Sequence, residues 1–142
     1  MSCPLCDEDG GLVVHREKGL RVVRVLDDAN FPAFYRVVWD AHVTEFSDLA
    51  AADRHRLIDR VAAVEAALRQ ALQPTKVNVA SLGNMVAHQH WHVIARFDWD
   101  SHYPGPIWAT PQRTVQPPPA ERLALSLTAL DERVRQALIA SA

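Results

Sequence analysis

Three histidines occupy alternate positions in one short stretch, His88-Gln89-His90-Trp91-His92-Val93-Ile94. In a β-strand, residues i, i+2 and i+4 share one face. A strand here presents three imidazoles in a row, with Gln89, Trp91 and Val93 on the other side. Imidazole is the only side chain that ordinarily titrates near neutrality. Such a row can take up protons, attack an electrophile or bind a metal. The chain has 7 His in 142 residues, and random placement would give this pattern on the order of once or twice per hundred such chains. A functional site is therefore a better reading than a solvated His-rich strand. Cys3 and Cys6, the only two cysteines, form one C-x-x-C. In a reducing compartment this spacing reads as metal or redox chemistry rather than a structural disulfide. No βαβ pattern follows it, which argues against a thioredoxin-like role.

The elements that must carry these residues can be read from periodicity. Residues 12–16 and 20–26 are β-branched runs separated by Lys18-Gly19 and predict a hairpin. Phe34-Tyr35-Arg36-Val37-Val38-Trp39 predicts a third strand. Leu57, Ile58, Val61, Val64, Leu68 and Leu72 recur at helical spacing, with Asp53 as the expected N-cap and Pro74 as the stop. Lys76-Val77-Asn78-Val79-Ala80 predicts a fourth strand, and the loop 81–85 leads into the histidine strand. A helix over about 118–140 follows, with Pro117, Pro118 and Pro119 near its first turn and a stripe of Leu123, Leu127, Leu130, Val134 and Leu138. The order β-β-β-α-β-β-α predicts an α+β fold, an antiparallel five-stranded sheet with one long helix and a C-terminal helix.

At 142 residues, 49% hydrophobic and 23% charged, the chain is expected to form one domain over 1–142, with a core over about 1–110. The net charge of −2 and the lack of a basic block argue against a nucleic-acid partner that needs many phosphates neutralised. No apolar run approaches the ~20 residues of a membrane span. The acidic N-terminus lacks a basic-then-apolar signal pattern, so no membrane partner and a cytoplasmic location are expected.

With His88-x-His90-x-His92-Val93-Ile94 in place, preceded by Asn78 and Gly83-Asn84 and followed by Arg96, the chain resembles the histidine triad (HIT) family. The element order and Cys3-Pro4-Leu5-Cys6 match as well, and within the family the chain resembles the bacterial diadenosine tetraphosphate hydrolase-like branch. The resemblance implies nucleotide hydrolase or transferase activity at an α-phosphate and a homodimer whose sheets join across a two-fold axis. It makes His90 the nucleophile, forming a nucleotidyl-histidine. His92 would donate to phosphate oxygens, and His88 would orient the site or ligate metal. Asn84 matches a polar phosphate donor, and Asn78 a group reaching phosphate or ribose, though Asn78 reads equally well as a strand-end hydrogen bonder. Gly83 would let the loop backbone approach the phosphate. Without the triad beside them, Gly83 and Asn84 would read as a plain turn. Val23, Val25, Leu26 and Phe31 are the expected purine-lining residues, each equally consistent with ordinary core. Trp108 matches an aromatic that nears the partner subunit's site, or else packs in the core. Some relatives complete a zinc site with two further histidines, which here implies zinc held by Cys3, Cys6, His42 and His88.

Two departures stand out. Many relatives carry a further histidine on the third strand, where this chain has Phe34 or Tyr35, and Gln89 is more polar than usual. His15, His55 and His102 have no comparable partners and are expected on the surface. Two other function classes compete with the leading one. A metal-dependent hydrolase would hold catalytic zinc with the His row itself, and a non-catalytic nucleotide-binding protein would keep only the pocket. Dinucleoside polyphosphates, nucleoside phosphoramidates and aminoacyl adenylates all present the same α-phosphate, so the leaving group is left open.

Overall fold

The computed structural model describes residues 2–142. Five strands, β1 (Leu12–Glu17), β2 (Leu20–Arg24), β3 (Phe34–Trp39), β4 (Lys76–Ala80) and β5 (His90–Arg96), form one antiparallel sheet in the order β1-β2-β3-β5-β4. Alternation along each strand divides its side chains between two faces. Val22, Val37, Tyr35, Val77 and Val93 point to one face, where they pack against two helices, α2 (Ala51–Leu72) and α3 (Leu127–Ser141). Leu57, Val61, Val64 and Leu68 of α2, and Leu130, Val134 and Leu138 of α3, supply the helical side of that core. The expected stripes are thus largely the buried ones, although Ile58 is exposed.

The helix boundaries differ from expectation at both N-termini. α2 begins at Ala51, with Ala50 as an N-cap that makes no side-chain bond. Ala51 and Ala52 extend the helix upstream, and Asp53 falls in its first turn, where a carboxylate still favours the helix dipole. At the other end Gln73 adopts φ 49°, and Pro74 follows as the stop. α3 starts at Leu127, well after the proline run. Pro119–Arg122 forms a separate 3-10 turn, and Ser126 Oγ caps α3 by accepting from Ala129 N at 3.1 Å. The rigid Pro segment fixes an entry path, while the hydroxyl three residues before Ala129 sets where helical hydrogen bonding begins.

Polar groups that reach the helix-covered side are paired there. Arg24 Nε and Tyr35 Oη both donate to Asp131 of α3, at 2.9 and 2.6 Å. Glu17 accepts from Arg60 Nε at 2.6 Å and from Arg56 Nη1 at 2.9 Å, and lies 3.0 Å from His15 Nε2. Burial alone would raise the Glu17 carboxyl, but its bonds to Arg60, His15 and Arg56 outweigh that and hold it down at about 2.

The opposite face carries no long helix. Val38, Val23 and Leu5 form one apolar cluster on it, and Val25, Phe31, Phe34 and Ile94 form another. Leu5 belongs to α1 (Pro4–Asp7), a single turn that the sequence reading did not anticipate. In it Cys3 O accepts from both Cys6 N and Asp7 N at 3.0 Å. That turn brings the two cysteines to the edge of the open face.

Candidate functional site

The three histidines do not act as one row. His88 lies before β5 rather than in it, with its backbone N donating to Val86 O at 2.9 Å. Its ring Nε2–H donates to Trp39 O, which leaves the Nδ1 lone pair facing Cys3 Sγ at 3.4 Å and Cys6 Sγ at 3.5 Å. His42 Nδ1 lies 3.4 Å from Cys6 Sγ. All four ligand atoms lie within 4.8 Å of one another, the only such His/Cys/acid group among the described residues. A tetrahedral ion with sulfur at about 2.3 Å and nitrogen at about 2.05 Å separates neighbouring S and N ligands by roughly 3.5 Å. The observed S···N distances match that edge, and the donor set suits a borderline-soft divalent ion, so these residues could bind a metal.

His90 and His92 remain on the open face of β5, paired across strands with Val38 and Arg36 of β3. His90 Nδ1–H donates to His88 O at 2.6 Å, so the neutral ring carries its lone pair on Nε2. Burial, with further repulsion from Arg36 and His88, lowers the His90 pKa despite the stabilising bond to the His88 carbonyl. Burial first, then the His90 and Arg36 charges, depresses that of His92 to about 4. Both rings are therefore neutral at pH 7. The ring of His92 stands nearly perpendicular to that of His90, 5.0 Å between centroids, and also packs edge-on against Phe34 and Trp108. Its Nδ1 is buried without a hydrogen-bond partner.

Two cavities meet at His90. One, of about 350 Å³, is lined by α1 and the Gly10-Gly11 turn together with Leu26, Asp27, Arg36 and Val86. The other, of about 420 Å³, is lined by residues 82–86, His92 and Trp108, again with Arg36. Gly83 and Asn84 thus face the same cavity as His90 and His92. Gly83 has φ +76°, a left-handed backbone that a side chain would strain. Ser81 Oγ donates to His90 O at 2.9 Å and ties this loop to the strand.

The other expected site residues lie elsewhere. Asn78 Oδ1 accepts from Arg96 Nη1 at 2.8 Å, and the residue lines a groove along β4 rather than the histidine cavities. Val25 and Phe31 are buried in their apolar cluster and line neither cavity, whereas Leu26 is exposed at the first. Val23 packs on Leu5 and Val38. Trp108 is exposed and lines the second cavity. His102, expected at the surface, is buried with its ring 5.1 Å from Phe31 and Nδ1 2.7 Å from Ser101 Oγ. The segment after β5 folds back under Arg96, which brings this histidine inside. His15 is half-buried beside Glu17, and His55 is exposed.

Sequence reading missed Arg36, which lines both cavities. The available signal was a lone cation at the centre of an otherwise apolar strand, Phe34-Tyr35-Arg36-Val37-Val38.

The model of the HIT domain matches residues 12–99. The chain belongs to the HIT family. Among solved structures, a histidine triad (HIT) protein from Sinorhizobium meliloti is 27% identical, with a TM-score of 0.70 over 91% of this chain and 90% of that one. Histidine triad proteins from Bradyrhizobium japonicum and Marinobacter aquaeolei are each 24% identical with a TM-score of 0.72, covering 92% of both chains and 94% and 93%, respectively. These two likenesses show the shared α+β fold. No curated protein matches the chain. Membership of the HIT family points to nucleotide binding and to hydrolase or transferase chemistry. No helix among the described residues is long and apolar enough to cross a membrane.

Proposed function

We propose that this HIT protein cleaves nucleotides at the α-phosphate through a covalent nucleotidyl-histidine on His90. One observation carries the reading: the His88 carbonyl accepts a hydrogen bond from Nδ1–H of a neutral His90, leaving Nε2 as the nucleophilic nitrogen at the junction of two cavities. In the first step the Nε2 lone pair bonds phosphorus, and the bond from phosphorus to the leaving oxygen or nitrogen breaks, its electron pair going with the leaving group; a leaving nitrogen takes up a proton from solvent and departs as the amine. In the second step water oxygen bonds phosphorus, the P–N bond returns its pair to Nε2, and the water proton passes to solvent. Splitting one displacement into two is what a covalent intermediate accomplishes. Asn84 and the Gly83 backbone are near enough to the same cavity to hold phosphate oxygens, and His92 flanks them. Leu26 in the first cavity favours the nucleoside on that side, with the leaving group toward Trp108. Purine nucleotides, dinucleoside polyphosphates and nucleoside phosphoramidates are the substrates this reading covers.

The Cys3, Cys6, His42 and His88 set is proposed to hold a structural zinc ion that anchors α1 and the start of β5. Because His88 turns to the cysteines and His90 Nδ1 is occupied by a carbonyl, the geometry favours this role over a catalytic metal on the His row. The bare edge of β4, with exposed Val79 beside the 600 Å³ groove that Trp108 lines, suits a homodimer in which two sheets join. The test of the catalytic reading is rapid mixing with an α-³²P-adenylylated phosphoramidate or dinucleoside polyphosphate. Label is expected on the protein, base-stable and acid-labile, and absent from His90→Ala, whose turnover should fall at least ~10³-fold. Equal turnover by His90→Ala would end the proposal.

A further inference from the structure

Among the described residues, five buried or half-buried arginines, Arg21, Arg24, Arg56, Arg60 and Arg96, reach carboxylates, and two, Arg54 and Arg36, do not; Arg54 Nη1 donates to Leu49 O, away from the histidine cavities. Arg21 reaches Asp40 at 2.7 Å, Arg24 reaches Asp131, Arg60 reaches Glu17 and Arg96 reaches Asp100 at 2.8 Å. Arg36, half-buried at the centre of the open face, has no carboxylate within 4 Å among the described residues. Nη1 donates to Gly10 O at 3.1 Å, the guanidinium lies 5.5 Å from the Phe34 ring centroid, and the buried Nε has no partner. A guanidinium does not shed its proton at physiological pH, and an unpaired cation in a half-dry site is costly. The cost is offset if an anion occupies the site during function. Arg36 pairs in register with His92 and lies on the wall of both cavities that meet at His90.

We propose that Arg36 is a catalytic residue that binds the non-bridging oxygens of the phosphate under attack and stabilises the negative charge that builds on them. The inference rests on the reading of His90 as nucleophile. A guanidinium offers several donors in one plane, which suits two phosphate oxygens at once. Arg36 is the only lysine or arginine among the described residues that line the two cavities. Contact with Phe34 on one side and the Gly10 carbonyl on another holds its plane before substrate arrives, which is the preorganisation that charge stabilisation requires.

The test compares Arg36→Met and Arg36→Lys with the parent and His90→Ala. The readouts are turnover of the α-labelled adenylyl substrate, binding of adenosine 5′-monophosphate and of adenosine by titration calorimetry, and thermal melting. For Arg36→Met, kcat should fall about 10²–10³-fold. Affinity for adenosine 5′-monophosphate should drop about tenfold with adenosine unaffected, and the melting temperature should hold or rise, because a costly charge is gone. Arg36→Lys should recover part of the phosphate affinity and little of kcat. A kcat/KM for Arg36→Met within threefold of the parent, while His90→Ala is dead, would overturn the arginine's role and leave His90 standing. If no substrate turns over in the parent, the His90 reading fails. The ratio of adenosine 5′-monophosphate to adenosine affinity then judges Arg36 alone, and an unchanged ratio in Arg36→Met overturns its role. Unfolding of Arg36→Met, seen by circular dichroism, would also overturn it, since the charge would then be part of what holds the sheet together.

Discussion

The two faces of the sheet differ in how fully their polar groups are paired. On the helix-covered face, Arg24, Tyr35 and Asp131 satisfy one another, as do Glu17, Arg56 and Arg60. On the open face Arg21 and Arg96 are paired at its margins, with Asp40 and Asp100, but at its centre lie the two buried side-chain polar atoms among the described residues that have no partner, Arg36 Nε and His92 Nδ1, on residues paired across β3 and β5. Electrostatics repeat the contrast. Neighbouring arginines keep Glu17 ionised, while burial keeps His92 neutral. Folding completes the covered face, and the centre and edge of the open one are where we propose that guests bind, an anion at Arg36 and a metal at the cysteines. Orphaned groups of this kind are rare in folded proteins and concentrate where function needs them.

The largest expected effect concerns the metal guest. One zinc per chain is expected by atomic absorption. At an ion concentration 1,000 times its Kd, binding adds about 4 kcal/mol to stability. A chelator should therefore lower the melting temperature of the parent and leave that of Cys3→Ser/Cys6→Ser unmoved. A parent free of metal after growth and reloading in zinc would remove the ion from the open face and weaken the contrast. The effect should reach His90 indirectly, because the carbonyl that fixes its tautomer belongs to the ligand His88.

Next in size is a break on the covered face. Asp131→Ala strands the Tyr35 hydroxyl and Arg24, whose side chain and that of Asp131 are only 11% and 16% exposed. A loss of about 3 kcal/mol is expected in denaturant unfolding, since breaking such a pair leaves a charge uncompensated. Turnover of the folded fraction should be unchanged, because Asp131 lies across the sheet from the cavities. A loss under 0.5 kcal/mol would show that the covered face does not depend on these bonds.

Much of the contrast was legible in the sequence, and what was not has physical causes. The aromatic and β-branched run 34–39, the alternation in 76–80 and the 3.6 periodicity of Leu57 to Leu72 marked the sheet and the long helix, because burial dictates those patterns. The triad spacing marked β5 and the face of His90 and His92. His88 escaped the strand because its ring is claimed by the Trp39 carbonyl and the cysteines, contacts that span 49 and 85 residues of sequence and leave no local trace. The start of α3 was obscured by three prolines that suit a first helical turn equally well, and only the Ser126 cap decides it. For Asn78 the sequence leaves two roles open, because an amide at a strand end suits Arg96 as well as a ligand. The metal set of Cys3, Cys6, His42 and His88 was expected from family resemblance, and its convergence is a tertiary fact. Arg36 could be seen as an odd charge in an apolar strand, but its lack of a carboxylate could not, since an absent partner is a property of the packed structure.

The smallest expected effect is the most selective. His92→Leu replaces an imidazole whose Nδ1 has no partner by an apolar group of comparable size. If the open face is tuned for function, stability at pH 7.5 should change by less than about 1 kcal/mol, while turnover falls. The two chains should then diverge in acid. The folded-state pKa of His92 is depressed to about 4, against about 6.5 for an unfolded histidine. Between those values the unfolded chain binds the extra proton, so the neutral ring's contribution is fully present above pH 6.5 and is lost as the pH falls toward 4. The charges that hold it down are those of His90 and Arg36, both on the same face. At pH 5.5 the parent should have lost roughly 1 kcal/mol more than His92→Leu. Parallel pH profiles for the two chains would mean that His92 finds a partner in solution. The open face would then be as self-contained as the covered one, and the reason to look for an anion beside it would go with the contrast.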